Sequence, residues 1–359
     1  MTFLTFQWEQ DWMRAKPSTR GGNARQRARR SQPPRCRILQ VRARFGSLPE
    51  VTEDVLPARL VEEFSSATCM QRRRAYALLP QVKEPEEEEV ELDAGGCSFG
   101  KAKGQLNADS FFHSAHSVGA ADGVSQWLRF GINCRAFSDE LMQGCQDHLL
   151  SSTCDCPKRQ CLEALTASFH EVQSFGSATV VIATLIRQHL GIAALGDAAL
   201  MLLRWGADDL AFVVCQTTEQ QYRFNVPYQL AHVPQEIKER VARARRIKGK
   251  KGTGKLSNVP EDAELMQVVV QPGDLLILGT DGLFDNLWQH EIMDLATKGR
   301  RSAASGQELA NTLAQAAKDQ SESSKRSPFE VACERFSDGW HKGGKVDDIT
   351  AVCAWVVPS

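Results

Sequence analysis

Residues 179–216 decide the fold class, and they read TVVIATLIRQHLGIAALGDAALMLLRWGADDLAFVVCQ. This stretch contains four short β-branched or aliphatic runs separated by polar or glycine-containing breaks, which predicts a meander of adjacent antiparallel strands. Two further runs, 266–270 and 274–280, are joined by Gln271-Pro272-Gly273, and this turn sequence predicts a hairpin. A last strand is predicted at 349–357.

Helices are predicted between these strands, where apolar residues recur at helical spacing. The segments are 137–150, 158–172, 288–297 and 307–318. Because the strands come in groups and the helices in separate blocks, we expect an α+β layered domain and not a doubly wound parallel sheet.

The composition is typical of a globular protein with a real core, since 42% of the 359 residues are hydrophobic and 24% are charged. No window approaches the ~18 consecutive apolar residues of a membrane-spanning helix, so no membrane insertion is predicted. The 11 cysteines lack the regular framework of a small secreted domain, which favours reduced thiols and an intracellular protein.

The chain divides by composition at about residue 100. Residues 1–99 are predicted to be a largely disordered extension, because 14–49 contain eleven Arg or Lys and no Asp or Glu, and a Glu-rich run follows at 84–91. An Arg-rich, acid-poor stretch is also typical of a mitochondrial or other organelle transit peptide, and a nuclear address is a further alternative. Residues 100–359 are predicted to form the folded domain, with an exposed basic insertion at about 232–260.

Aspartates recur beside glycine at the ends of the apolar runs. The five places are 107–109 (NAD), 121–124 (ADGV), 195–197 (LGD), 280–285 (TDGLFD) and 343–350 (GGKVDDIT). A cluster of such carboxylates is tolerable only if cations neutralise it, and hard oxygen ligands favour Mg²⁺, Mn²⁺ or Ca²⁺ over zinc. A single Asp-Gly usually marks only a turn, and spacing alone does not show that the five places meet.

The order of these motifs resembles that of the metal-dependent protein phosphatases of the 2C class. The strings that carry the resemblance are ADGV at 121–124, FGSAT at 175–179, LGD at 195–197, TDGLFDN at 280–286 and DDIT at 347–350. FNVPYQL at 224–230, SPF at 327–329 and GGKVDDIT at 343–350 look like the mitochondrial-type subgroup related to the yeast Ptc-seven phosphatase. The resemblance covers about residues 100–357. It implies two antiparallel β-sheets packed as a sandwich with α-helices outside, a four-layer αββα fold with the site at one end.

The resemblance also implies a reaction, hydrolysis of serine or threonine phosphate monoesters by a water activated between two Mg²⁺ or Mn²⁺ ions, with a phosphoprotein as substrate. Asp122 would bridge both ions with the Gly123 carbonyl on one of them, and Asp281 and Asp347 would complete the other. Asp109 matches the aspartate that hydrogen-bonds the attacking water, so Asp109 and Asp122 are the catalytic candidates. A third, weaker ion would be held by Asp197, Asp281 and Asp285.

Several positions depart from the family pattern. Ala108 stands where the family usually has an acidic ligand to the second ion. No arginine matches the family's phosphate-binding residue, and Lys101 or Lys103 is the candidate cation in its place. His113 or His116, near the first motif, is a candidate general acid to the departing serine oxygen.

These departures keep two other function classes open. One is a pseudophosphatase, or phosphoprotein-binding regulatory module, with an impaired metal site. The other is a nucleic-acid-binding protein that uses the basic segments, but these lack interleaved aromatic residues, so base stacking is not supported. The sequence does not specify the oligomeric state.

Overall fold

The computed structural model describes residues 89–240, 257–336 and 341–359. The strands in these ranges are β1 Val90–Phe99, β2 Ser110–His113, β3 Ser117–Gly123, β4 Gly176–Ile186, β5 His189–Leu195, β6 Ala199–Trp205, β7 Ala211–Gln216, β8 Gln221–Arg223, β9 Val226–Pro227, β10 Leu230–His232, β11 Glu264–Val269, β12 Leu275–Gly279 and β13 Ile349–Pro358. Every predicted strand corresponds to one of them.

The α-helices with defined bounds are α1 Cys134–Ser151, α2 Pro157–Glu171, α3 Asp281–Phe284, α4 Gln289–Arg301, α5 Gly306–Ser321 and α6 Pro328–Phe336. The four predicted helices are confirmed as α1, α2, α4 and α5. Pro157 opens α2, where its missing N–H costs nothing. Ser305 caps α5 through a reciprocal pair of hydrogen bonds with Glu308, which satisfies two otherwise unpaired donors. None of the described helices is long and apolar enough to cross a lipid bilayer.

The strands form two antiparallel sheets that pack face to face. The order is β1-β13-β12-β6-β7 in the first sheet and β11-β5-β4-β3-β2 in the second, with β10 beside β4. Buried side chains from both sheets, such as Val181, Leu200 and Val352, form the core between them. Helices α1 and α2 cover the outer face of the second sheet. Helices α4 and α5 cover the first, so the expected α+β sandwich with an αββα layer order is confirmed.

The predicted meander at 179–216 is wrong in its pairing. Strands β4 and β5 pair in the second sheet, whereas β6 and β7 pair in the first. The chain crosses between the sheets at Gly196, whose φ of 100° is left-handed, and a β-carbon there would lie 2.5 Å from the Tyr228 carbonyl oxygen. This crossing places Asp197 in the connection between the two sheets.

The predicted hairpin of 266–270 and 274–280 is also wrong, because β11 pairs with β5 while β12 pairs with β6 and β13. Asp274 gives the physical reason. Its buried carboxylate accepts two hydrogen bonds of 2.7 Å from the Arg204 guanidinium on β6 and a third, of 2.9 Å, from the Gln271 amide. The Pro-Gly turn is therefore fixed to the first sheet, and it connects the sheets instead of closing a hairpin.

The folded domain begins earlier than residue 100. Strand β1 pairs with β13 along its whole length, from Val90 opposite Pro358 to Phe99 opposite Ile349. Residues 90–99 therefore belong to the sandwich and not to the N-terminal extension. The remainder of that extension, 1–88, and the centre of the basic insertion, 241–256, lie outside the described residues.

Candidate active site

The predicted site aspartates come from both sheets. Asp109 directly precedes β2, Asp122 lies in β3, and Asp197 follows β5. On the side of the first sheet, Asp281 opens α3 and is separated from β12 by Thr280, Asp285 follows α3, and Asp347 precedes β13.

Asp109 joins the two sheets. It is fully buried, and its Oδ2 atom accepts hydrogen bonds from the hydroxyls of Thr280, at 2.9 Å, and Thr350, at 2.8 Å, both on segments of the first sheet. Its Oδ1 atom is buried and has no hydrogen-bond partner among the described residues. Burial, and then the charge of Asp348, raises the pKa of Asp109 to about 8.

Asp122 interacts electrostatically with four other carboxylates. Burial is the largest cause that raises its pKa well above the ordinary value, followed by the negative charges of the carboxylates around it. In order of effect these are Asp281, Asp109, Asp347 and Asp197. Segments that are far apart in the sequence therefore bring their acidic side chains into one pocket.

The same repulsion acts on the other members of the pocket. Burial first, and the charge of Asp281 second, raises the pKa of Asp197 to about 7. Burial raises the pKa of Asp281 to about 7 and that of Asp285 to about 6, while the positive charge of Lys345 opposes both shifts. The Oδ1 atom of Asp197 is a second buried carboxylate oxygen without a hydrogen-bond partner in the described ranges.

Lys345 provides positive charge inside this pocket. Its Nζ atom donates to Asp281 Oδ2 and to Asp285 Oδ2, the latter at 2.7 Å, and lies 3.3 Å from Asp347 Oδ2. The side chain is 11% exposed. The three carboxylates raise the pKa of Lys345 well above its ordinary value, although burial opposes the shift, so the ammonium stays charged.

Gly123 and Ala108 are packed against each other. A β-carbon on Gly123 would lie 2.3 Å from the Ala108 carbonyl oxygen, so only glycine allows this approach. Ala108 is fully buried, and its amide donates to Asp348 Oδ2 at 3.0 Å. Position 108, where the resemblance implies an acidic ligand, carries an alanine and provides no carboxylate.

Asp348 holds the walls of the pocket together. Besides the Ala108 amide, its carboxylate accepts a 2.8 Å hydrogen bond from the Lys101 amide. Its own carbonyl oxygen would lie 2.0 Å from a β-carbon on Gly282, so the short helix α3 packs directly against the segment before β13. The second aspartate of the DDIT motif thus fixes backbone segments around the site.

Lys101 reaches the rim of the pocket and Lys103 does not. The Lys101 Nζ atom donates to Ser125 Oγ at 2.7 Å and lies 3.7 Å from Asp347 Oδ1. Lys103 is exposed. His113 and His116 are also exposed, at the turn end of the β2–β3 hairpin, whereas Asp109 and Asp122 lie at the other end. The prediction that either histidine acts at the site is wrong, because three strand residues already span ~10 Å.

Sequence reasoning missed the roles of Lys345 and Asn286. Both lie within motifs that the resemblance used, GGKVDDIT and TDGLFDN. Asn286 is fully buried and clamps the backbone of Lys345, accepting from its amide at 2.8 Å and donating to its carbonyl at 2.9 Å. In the sequence, Lys345 and Asn286 are only a basic and an amide residue near aspartates. That proximity in sequence does not predict that their side chains contact other residues of the site.

The donor set suits hard divalent cations. The pocket offers carboxylates from several segments, and two of their oxygens are buried without a hydrogen-bond partner in the described part of the chain. No three acidic, histidine or cysteine side chains of the described residues already stand at the spacing of a formed metal site. Three of the carboxylates instead meet at the Lys345 ammonium.

Comparisons with known proteins identify the class. No family model matches the chain. It is 33% identical over 266 residues to "Protein phosphatase PTC7 homolog fig" of Drosophila grimshawi, covering 70% of this chain and 80% of that protein. It is 31% identical over 269 residues to "Probable protein phosphatase 2C 62" of Arabidopsis thaliana, covering 74% of this chain and 33% of that protein. The chain thus spans about a third of the length of this plant relative.

A solved structure agrees in fold. The photosystem II phosphatase PBCP matches with a TM-score of 0.59 and 27% identity, over 75% of this chain and 100% of that one. The chain belongs to the protein phosphatase 2C family.

The raised pKa values predict how the metal-free protein responds to pH. An unfolded aspartate has a pKa of ~3.9, so between that value and about 8 the folded state, through Asp109, binds more protons than the unfolded state. The free energy of unfolding is therefore highest at low pH, and it falls as the pH rises through the pKa values of the folded state. We expect the melting temperature in EDTA to be lower at pH 8 than at pH 5.5.

Two variants isolate the source of this pH dependence. Asp109→Asn should flatten the profile because it removes one buried titrating carboxyl. Asp139→Asn, which changes an exposed carboxylate paired with Arg135, should leave the profile unchanged. Thermal scans at several pH values measure the slopes, and an unchanged slope in folded Asp109→Asn would contradict the assignment.

Proposed function

We propose that the chain is a metal-dependent serine/threonine protein phosphatase that hydrolyses phosphate monoesters in phosphoproteins. The observation that supports this most directly is the meeting of carboxylates from both sheets in one pocket, around Asp122, in a chain of the protein phosphatase 2C family. Such a concentration of carboxylates suits a reaction in which cations and a phosphoryl group share the pocket.

The proposed cofactors are Mg²⁺ or Mn²⁺. The residues that would hold them are Asp122, Asp281, Asp347 and the carbonyl of Gly123. Bound there, the ions supply positive charge for the phosphoryl oxygens and make a water molecule more acidic.

Asp109 is the proposed acceptor for the attacking water. Hydrogen bonds from Thr280 and Thr350 fix its Oδ2 atom, so the orientation of the carboxylate is set before substrate arrives. The Oδ1 atom, which has no partner among the described residues, accepts a hydrogen bond from the water.

Lys101 is the proposed phosphate-binding cation. It stands beside Asp347 at the rim, its side chain is 23% exposed, and its amide is fixed by Asp348. An ammonium in this position attracts a phosphoryl group as a point charge, although it lacks the paired donors of an arginine.

One observation favours a second candidate, a pseudophosphatase that binds phosphoproteins without hydrolysing them. Ala108 is buried where the family has an acidic ligand, and no carboxylate replaces it from that position. The two candidates differ in turnover and not in fold, so activity separates them.

The first prediction for this proposal concerns hydrolysis of phosphoserine and phosphothreonine peptides. We expect activity with Mn²⁺ or Mg²⁺, no activity in EDTA, and slower hydrolysis of a matched phosphotyrosine peptide. Asp281→Asn should lower kcat/KM at least ~100-fold, because it removes a proposed metal ligand. Asp139→Asn, on the exposed side of α1, is the matched control and should retain full activity. Equal hydrolysis in EDTA would refute metal dependence, and binding of the peptides without turnover would favour the pseudophosphatase.

A second prediction distinguishes the two candidate lysines. Lys101→Met should weaken inhibition by inorganic phosphate about tenfold, which corresponds to losing one hydrogen bond to a charged group. Lys103→Met should not change it, because this exposed side chain does not reach the pocket rim. Steady-state inhibition by phosphate measures both constants. An unchanged inhibition constant in Lys101→Met would remove Lys101 from the phosphate site.

We further propose a mitochondrial location. The eleven basic residues and absence of acidic residues in 14–49 support an organelle-targeting segment. Residues 1–50 fused to a fluorescent reporter are expected to direct it to mitochondria, and replacing Arg27, Arg29, Arg30 and Arg35 with Gln should abolish this. Diffuse or nuclear fluorescence of the unaltered fusion would contradict the proposal.

A further inference from the structure

Lys345 occupies one side of the acidic pocket and not its centre. Its ammonium lies between Asp281, Asp285 and Asp347, as described above. Neither Asp109 nor Asp122 is within ion-pair distance of it in the described part of the chain. Of the three carboxylates that it contacts, Asp347 also accepts a 3.0 Å hydrogen bond from the Asp348 backbone amide through its other oxygen, Oδ1.

The lysine is held in place from its backbone outward. Asn286 hydrogen-bonds both the amide and the carbonyl of Lys345, and also the Gly282 carbonyl at 2.9 Å. The lysine segment and helix α3 are thereby joined. The ring of Phe329 lies 5.0 Å from the Nζ atom and is itself almost fully buried. The position of the ammonium is therefore fixed by buried residues of the pocket.

Asp197 completes the surroundings of this position. Burial and the charge of Asp281 raise the pKa of Asp197, and the positive charge of Lys345 opposes that rise, so Lys345 and Asp197 lie close enough to interact. Asp197, Asp281 and Asp285 are the set that the resemblance associates with a third, weaker ion. Lys345 contacts two of the three directly.

We propose that the Lys345 ammonium takes the place of a divalent ion between Asp281, Asp285 and Asp197, so that this chain binds one ion fewer than its carboxylates would otherwise hold. This inference rests on the proposed function, since it concerns the same pocket. A tethered ammonium satisfies these carboxylates without losing a tightly held hydration shell, whereas Mg²⁺ dehydrates reluctantly. A divalent ion at that position would also be repelled by the ammonium at contact distance.

The test counts bound Mn²⁺ per folded chain by equilibrium dialysis followed by elemental mass spectrometry. Lys345→Met should bind one Mn²⁺ more than the unaltered protein. Lys345→Arg, which keeps the charge, and Lys298→Met, which removes an exposed lysine from α4, should show no gain. Asp285→Asn added to Lys345→Met should abolish the gain, because it removes one carboxylate of the vacated position.

The outcomes separate this inference from the proposed function. No Mn²⁺ on either the unaltered protein or Lys345→Met would contradict the proposed function itself. An equal, non-zero count on the two folded proteins would overturn the role of Lys345 and leave the phosphatase proposal standing. If Lys345→Met does not fold, Asp285→Asn alone gives the answer. Its ion count should equal that of the unaltered protein, and a loss of one ion would show that the position is filled by metal.

Discussion

Burying several carboxylates in one pocket is unfavourable unless positive charge compensates them, and the active end of this domain is organised around that constraint. Asp122 is surrounded by four other aspartates whose charges all raise its pKa. Two lysines compensate part of this negative charge: Lys345 lies inside the pocket and Lys101 lies at its rim. The remaining negative charge is what makes the pocket suitable for divalent ions and, through them, for a phosphoryl group.

The sandwich holds these charges in place despite their repulsion. Neither sheet contains the whole site, because Asp109 and Asp122 belong to the second sheet while Asp281 and Asp347 belong to the first. Packing of the apolar faces between the sheets supplies the favourable free energy, and the hydrogen bonds of Asp109 to two threonines fix the relative position of the sheets at this end. The pocket therefore forms only when the whole sandwich does, which gives it a rigid geometry.

The sequence predicted the elements better than their connections, because side-chain periodicity is local and strand pairing is not. The turn sequence at 271–273 is compatible with a hairpin and with a connection between two sheets. The buried ion pair of Asp274 with Arg204 favours the connection. The site aspartates were found through the order of the family's motifs, and the structure brings them together. No role was predicted for Lys345, because charge compensation depends on distances that the sequence does not give. The prediction for His113 and His116 was wrong because both lie at the turn end of the β2–β3 hairpin, away from Asp122.

The central claim is that aspartates from separate segments form one cation-binding pocket, and crystals grown with Mn²⁺ test it most directly. Anomalous diffraction at the manganese absorption edge locates the ions without reference to activity. Peaks bounded by the carboxylates of Asp122, Asp281 and Asp347 are the predicted result. Well-ordered crystals in which these side chains point to separate places, or in which manganese binds elsewhere and leaves the pocket without a peak, would contradict the account.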